Sequence, residues 1–325
     1  MINSTLDTTV ISVIIPAYNS EKTIKETIES VLNQSFTSFE LIIINDGSQD
    51  STLDVITQIQ DSRIKVFSYP NAGGNVSRNR GLHHAVGEYV SFLDADDIWT
   101  PDKLQSQLNA LQENLTAKVA YSWTDYIDED GEIVLSGTHF TANGDVYEKL
   151  LVTNFLENGS NPLICRKSLI ALGGFDESLG AAQDWDMWLR LACKFYFVCV
   201  PSVQILYRIT ANSVSSNLVR QENASLQVLK KAYQQRPPTL KSSWNISLTN
   251  LYKYLACKAL QKPFNRQKSL TAAKFLWNYF LNDSSRFYRI IFTLKLLLKI
   301  IIILIVPKFF DSIINKRLKH SSISG

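Results

Sequence analysis

Residues 92–97 read FLDADD, an apolar pair that runs straight into Asp94, Asp96 and Asp97. Asp94 and Asp96 are two apart, and in extended backbone such residues point to the same side. Two hard carboxylates so placed can hold Mg²⁺ or Mn²⁺ while leaving positions open for phosphate oxygens. Taken alone, the tetrapeptide is as readily a polar turn after a strand. Asp184 opens a second stretch, QDWDMWLRL (183–191). Read alone, it is the N-cap of a helix. Trp185 beside it can pack into the core, and Trp188 fits the buried face of the helix. The four histidines show no ligand spacing, and His83-His84 falls in a helical pattern.

These residues sit where apolar runs end. Residues 10–15 form a β-branched run closed by Pro16; residues 40–44 form a second, closed by Asn45, Asp46 and Gly47. Residues 64–68 and 89–93 make a third and a fourth. Between them Ile24, Ile28, Val31 and Leu32 recur at helical spacing, Leu53, Ile56 and Ile59 mark a short helix, and 76–86 can be helical. Thr100-Pro101 offers an N-cap and a proline at the first helical position ahead of Leu104, Leu108 and Leu111. Strands alternating with helices of this length predict an α/β fold, a mainly parallel sheet with helices on both faces. Ligands of such sheets bind beyond the carboxyl ends of the strands. PAYN (16–19), NDGS (45–48) and DADD (94–97) would meet along that edge, so charge gathered there marks a site.

After residue 119 the rhythm changes. Strand patterns at 119–126 and 132–135 flank Asp128-Glu-Asp-Gly131, a hairpin signal. A loop-rich stretch follows to about 183, then a helix over 184–193, short strands at 195–200 and 204–208, and a helical pattern from 222 to 285.

With 325 residues, 45% hydrophobic, the chain is long enough for one large domain and an appendage, or for two domains. Cys165, Cys193, Cys199 and Cys257 lie far apart, as reduced thiols rather than a disulfide framework or zinc site. The start, MINSTLDTTV, lacks the pattern of a signal peptide, so the Asn-x-Ser/Thr triplets are expected to be chance. The net charge of +3 is uneven. From Arg286 onward there are eight basic residues against Asp311 alone, leaving 25 basic and 29 acidic residues in the rest. The body therefore lacks an electrostatic footprint for nucleic acid.

Seven motifs in order, SVIIPAYN (12–19), IINDGS (43–48), NAGGNVSRNRG (71–81), FLDADD (92–97), GGFDESL (173–179), QDWDMWLRL (183–191) and YRITANSVS (207–215), resemble the family 2 glycosyltransferases of GT-A fold. The resemblance covers about two-thirds of the chain. It implies that Pro16 and Tyr18 line the base pocket of a nucleotide-sugar donor and that Asp46 accepts a hydrogen bond from the base. It implies Arg78 beside base or phosphate, with Gly73 and Gly74 letting that loop pack close. Asp94 would contact ribose or sugar and share the metal, Mg²⁺ or Mn²⁺, with Asp96 as principal ligand. Asp184 would be the base, with Trp185 as an acceptor contact. Many relatives have Glu where this chain has Gln183, which removes one carboxylate beside the base. The implied reaction is a single inverting displacement onto a hydroxyl of a glycan or lipid-linked acceptor in cell-surface polysaccharide synthesis. A non-catalytic nucleotide-sugar-binding scaffold and a sugar nucleotidyltransferase are the rivals. The second would show a Gly-rich basic phosphate loop, which PAYNSEK is not.

The expected organisation is a glycosyltransferase domain at 1–220, with donor binding in about 10–125 and acceptor and catalytic residues in about 126–215. A helical region (221–285) and a basic amphipathic tail (286–325) follow. Residues 290–306, IIFTLKLLLKIIIILIV, are about as long as the shortest spanning helices, but Lys295 and Lys299 lie inside the run. A helix lying in the membrane plane lets both lysines meet headgroups. The tail thus predicts a cytoplasmic protein, peripheral on the inner face of the cell membrane. A soluble packing helix or a homodimer interface is the other use of the same run.

Overall fold

In the computed structural model, which describes residues 9–209, 217–237, 239, 243–261, 264–283 and 290–305, the chain divides into two compact units. One is Met1–Leu150 with Asn154–Thr210, the other Leu151–Thr153 with Ala211–Gly325.

The first unit is built on β1 (Ile11–Ala17), buried at every position but Pro16, as an inner parallel strand requires. It pairs in parallel with β2 (Phe39–Asn45) and β4 (Tyr89–Phe92), and β2 pairs in parallel with β3 (Ile64–Ser68). The crossovers are α1 (Ile24–Leu32), α2 (Thr52–Thr57) and α3 (Gly74–His84). After β5 (Ile98–Trp99) and α4 (Lys103–Glu113) comes the long β6 (Ala117–Ile127), joined by a hairpin to β7 (Ile133–Ser136). The hairpin turns at Gly131, whose φ of +85° is left-handed. Then follow α5 (Tyr147–Val152), β8 (Leu163–Cys165), α6 (Arg166–Ala171), α7 (Gln183–Ala192) and β9 (Tyr196–Arg208). The sheet order is β3-β2-β1-β4-β8-β6-β9-β5, with β7 on β6. Strand β8 runs antiparallel to both neighbours, β4 and β6. Hence β4 and β6 run the same way, and their carboxyl ends share one edge.

Three local expectations are corrected. Helix α4 begins at Lys103, not Pro101: Asp102 is its N-cap, and Thr100 Oγ1 donates to Asp102 Oδ1 at 2.6 Å. The two strands expected at 195–200 and 204–208 are one strand, β9. Its register against β6 slips on either side of Trp123, which lets it run through Pro201. The stretch expected to be loops holds α5, β8 and α6, which are too short to show a period.

The second unit holds α8 (Leu218–Gln235), α9 (Ser243–Ala259), α10 (Arg266–Asn282) and α11 (Ile290–Ile305). Helix α11 packs on α10 through Ile300 and Ile303, both buried. Its opposite face leaves Ile290, Leu294, Leu297, Leu298, Ile301 and Ile305 exposed, a continuous stripe at helical spacing. Among the described residues no helix is long and apolar enough to cross a membrane. The basic residues from Lys308 onward lie outside the described residues.

Helix α3 crosses β1 where a side chain will not fit. A Cβ on Gly81 would lie 2.3 Å from Ile14 Cγ2, a fully buried atom group of β1. Gly81→Ala should therefore destabilise the protein by about 1–3 kcal/mol in denaturant titrations, despite alanine's better helix propensity. Combined with Ile14→Ala, which removes the opposing methyl, it should cost less than the sum of the two single changes. Strict additivity would show that α3 and β1 do not meet at this point.

Candidate active site

The mouth of β4 is a turn rather than extended chain: Asp97 N–H donates to the Asp94 carbonyl at 3.1 Å. The turn sends its acids to different places. Asp97 is fully buried and points inward, where it accepts from Ser160 Oγ and, at 3.0 Å, from Arg208 N–H. Burial, then the nearby Asp96 and Asp94, push its carboxyl well above the usual range. Asp94 and Asp96 remain partly open. Burial and the neighbouring Asp94 push Asp96 up to about 6. The two acids thus act on each other, and the turn, not the strand pleat, brings them together.

Asp94 is ion-paired with Arg78 Nη2. Arg78 is buried, lies over the Phe175 ring at 5.6 Å, and keeps an unpartnered Nε. It comes from α3, whose entry explains both glycines before it. Gly73 has a φ of +94°, and a Cβ on Gly74 would lie 3.1 Å from Arg78 Nη1. Asp184, the second residue of α7, faces the same pair. Burial raises its pKa, and Asp94 adds to the rise; the Trp185 amide, which donates to Oδ1 at 2.8 Å, and the Arg78 charge oppose it. Asp184 is not the N-cap. That position belongs to Ala182, in left-handed backbone at φ +54°. A half-buried carboxylate whose pKa is raised, beside a cation, is placed to accept a proton.

On the other side of β1, Asp46 is buried at the end of β2. Its carboxylate accepts from the amides of Ala72 and Gly73 at 3.0 and 2.8 Å and from Arg80 Nη1 at 3.2 Å. Two of these three bonds shape the glycine loop, and the carboxylate keeps room for a further donor. Tyr18 is 48% exposed at the end of β1, and Pro16, within β1, is half-buried. The two loops at this edge are stitched reciprocally: Asn19 Oδ1 accepts from Gln49 N–H at 2.8 Å, and Asn19 N–H donates to Ser48 Oγ at 3.1 Å. Trp185 is buried, with its indole N–H donated to the Leu150 carbonyl at 2.8 Å. Its environment is that of a packed side chain.

Arg78, Asp94, Asp96 and Asp184 therefore converge, while Tyr18 and Asp46 lie along the edge towards β2. Four contributors escaped the sequence reading. Ser160 and Gly159 approach from the loop before β8: a Cβ on Gly159 would lie 3.6 Å from Arg78 Nη2 and 3.8 Å from Asp94 Oδ2. Arg208 ends β9 and is almost wholly buried. Its guanidinium binds the carbonyls of Asp96, Asp128 and Glu129 and the Glu26 carboxylate. Arg80 lies over the Tyr69 ring at 4.5 Å. Only the YR of YRITANSVS and the second arginine of SRNRG could have signalled the last two. The motif's continuation, 210–215, lies outside the described residues. Among those described, no group of three or more His, Cys, Asp or Glu is placed to hold a metal. The two crowded carboxylates, Asp94 and Asp96, are hard donors that fit Mg²⁺ or Mn²⁺ shared with phosphate oxygens.

Comparison with known proteins agrees with this geometry. The model of glycosyltransferase-like family 2 matches residues 12–259. The chain belongs to that family. It is 30% identical over 233 residues to the UDP-Glc:alpha-D-GlcNAc-diphosphoundecaprenol beta-1,3-glucosyltransferase WfgD of Escherichia coli, covering 69% of this chain and 87% of that protein. An uncharacterized glycosyltransferase of Rickettsia conorii is 35% identical over 198 residues, 60% of this chain, but the match spans only 32% of that longer protein. Solved structures share the fold. Staphylococcus aureus TarS 1–349 with UDP-GlcNAc has a TM-score of 0.56 at 18% identity, covering 84% of this chain and 89% of that one. The mannosyltransferase PcManGT of Pyrobaculum calidifontis, with GDP-Man and Mn²⁺, has 0.56 at 19%, covering 92% and 87%. The expected GT-A fold is borne out.

The crowding at Asp96 has a pH signature. Its folded-state pKa, about 6, lies above the ordinary 3.8. Its stabilising contribution is therefore complete below 3.8 and is lost as pH rises through about 6. Asp96→Asn should stabilise the metal-free protein above pH 6, by up to about 3 kcal/mol, and the gain should vanish near pH 4. Urea titrations in EDTA across this range check it; a gain independent of pH would remove the electrostatic cause.

Proposed function

We propose that the chain is an inverting, metal-dependent glycosyltransferase. It moves a sugar from a nucleoside-diphosphate donor to a hydroxyl of a glycan or lipid-linked acceptor during synthesis of a cell-surface polysaccharide. The observation that carries this reading is the half-buried Asp184 carboxylate facing the Arg78–Asp94 pair at the carboxyl edge of the sheet. Asp184 takes the proton of the acceptor hydroxyl, whose own pKa lies far above 7, as that oxygen attacks the anomeric carbon. Arg78 helps to keep Asp184 ionised and lies where diphosphate charge gathers. Asp94 and Asp96 would hold a divalent cation, which supplies charge neutralisation for the departing diphosphate. Tyr18 and Pro16 line the base side, and Asp46 keeps the glycine loop shaped for the nucleotide. One displacement inverts the anomeric centre without a second nucleophile. WfgD, named for a diphosphoundecaprenol-linked acceptor, supports a lipid-linked substrate.

Two substitutions separate the roles. Asp184→Asn keeps size and removes the base, so turnover should fall by about a hundred- to ten-thousandfold while donor affinity persists. Asp96→Ala should abolish Mn²⁺-dependent nucleotide binding in calorimetry, with the donor chosen by thermal stabilisation with UDP, GDP, dTDP and CDP sugars. Near-normal turnover of the first variant at saturating substrates would reduce Asp184 to a structural acid. Unchanged Mn²⁺-dependent affinity in the second would remove the metal assignment.

The exposed stripe of α11 supports peripheral attachment to the cytoplasmic face of the membrane. Lys295 is exposed beside the stripe, where it can reach headgroups. Lys299 departs from the expectation: it is half-buried over the Phe264 ring at 5.6 Å, and burial holds its ammonium below the ordinary value. The protein should sediment with anionic liposomes and be released by high salt or alkaline carbonate. Leu294→Gln with Leu298→Gln should largely abolish sedimentation. Resistance of the unaltered protein to carbonate would rule out in-plane attachment.

A further inference from the structure

The carboxyl end of β6 carries a second polar group that donor binding leaves unused. His139 Nε2 lies 2.7 Å from Asp125 Oδ1, and its ring stacks on Trp123 with centroids 4.9 Å apart and planes 12° from parallel. Glu157 Oε1 accepts from the Thr138 amide at 2.8 Å. His139 and Glu157 both hold left-handed backbone, at φ +46° and +70°. Non-glycine residues rarely adopt that conformation, and it persists where the surroundings force it. Gly137 shows the force: a Cβ there would lie 2.2 Å from the Thr124 carbonyl oxygen and 2.4 Å from Glu157 Oε2. Trp123 Nε1 is buried with no acceptor. The group is not a metal site, since the His139 nitrogen is spent on Asp125 and no metal-holding trio exists among the described residues.

Its position ties it to the reacting centre. The carboxyl ends of β4 and β6 share one edge, and the loop 157–161 bridges them. Asn158 Nδ2 donates to Thr124 Oγ1 on β6 at 3.0 Å. Two residues after Glu157, Gly159 lies against the Arg78–Asp94 pair, and Ser160 Oγ accepts from the Asp94 amide at 3.0 Å. One short loop thus runs from Glu157 to the donor carboxylates. We propose that Asp125, His139 and Glu157, with Trp123 behind the imidazole, form the subsite for the acceptor sugar, and that this subsite takes a neutral pyranose with neighbouring free hydroxyls. Carboxylates accept charge-assisted hydrogen bonds from vicinal hydroxyls, and flat rings meet the C–H face of a pyranose. Two acids side by side disfavour a uronate or phosphate in the same place. The proposal rests on the glycosyltransferase reading above and names its substrate class.

The test uses the full chain with Mn²⁺ and whichever of UDP, GDP, dTDP or CDP raises its melting temperature. Methyl glycosides of glucose, galactose and N-acetylglucosamine, and of glucuronic acid as the charged probe, are titrated by NMR. At least one neutral glycoside should bind and the glucuronide should not. Glu157→Gln and Asp125→Asn should each weaken that binding about tenfold, the loss of one charge-assisted hydrogen bond, with nucleotide affinity unchanged within about twofold. If either variant loses cooperative melting, His139→Gln, which keeps a donor towards Asp125, takes its place and should weaken binding likewise. Neutral-glycoside affinity unchanged in folded variants, preference for the glucuronide, or no glycoside binding by the unaltered protein would each overturn the subsite. Failure of all four nucleotides to bind would instead count against the glycosyltransferase reading.

Discussion

A carboxylate sealed from water must find donors or lose its charge. Asp97 is sealed, and the donors it finds draw the rest of the edge together. Ser160 Oγ brings the loop before β8, and the amide of Arg208 brings the end of β9. Ser160 in turn receives the Asp94 amide, and its carbonyl receives the Trp99 indole N–H at 2.8 Å. Arg208 reaches the Asp96 carbonyl, the β6–β7 hairpin and Glu26 of α1. The acid with no place in the chemistry is therefore the one that fixes where Asp94 and Asp96 stand. Polar networks of this kind hold one arrangement only when every member is satisfied.

The same logic shapes the nucleotide side. Asp46 sits beyond β2 as Asp97 sits beyond β4, and it too is buried and bound to backbone amides and an arginine. Its hydrogen bonds bend the glycine loop so that α3 starts in register to deliver Arg78. A contact from Asp46 to a base would add one donor to those its carboxylate already accepts. Its larger effect runs through the shape of the loop.

Much of this was written in the sequence, for a physical reason. Parallel strands buried on both faces leave continuous apolar runs, and β1, β2 and β4 show them as far as the acids that end them. The acids are legible because charge at the mouth of a core is expensive enough to need a cause. What joins them was not legible. Strand β8 has only three residues, LIC, too few to show a period. Ser160 and Gly159 are common loop residues whose importance lies in what they approach. Asp94 and Asp96 were paired for the wrong local reason, since a turn and not an extended strand brings them together. Lys103, on the buried face of α4, also escaped notice. Its ammonium donates to Ser91 Oγ at 2.6 Å and lies 3.7 Å over the Trp99 ring, and burial holds its pKa well below the ordinary value.

That last residue sharpens the charge balance of the site. Lys103 makes its contacts with Ser91 and Trp99 rather than with the acids of the site. Arg208 already serves Glu26 as well as the Asp96 carbonyl. Among the described residues, Arg78 faces Asp94 and Asp184, while the charge of Arg208 acts on Asp96. Burial first, and the neighbouring Asp94 after it, raise Asp96 and Asp184 above the ordinary carboxylate range. Such crowding can be relieved by protons or by a cation. A divalent ion at Asp94 and Asp96 would draw those two carboxylates towards itself and release Arg78 to act more strongly on Asp184. Donor-side charge and the basicity of Asp184 are then coupled through a single guanidinium. Were Asp184 the base proposed above, it would be most nearly ionised when the leaving-group side is neutralised, the order that transfer to an acceptor hydroxyl needs.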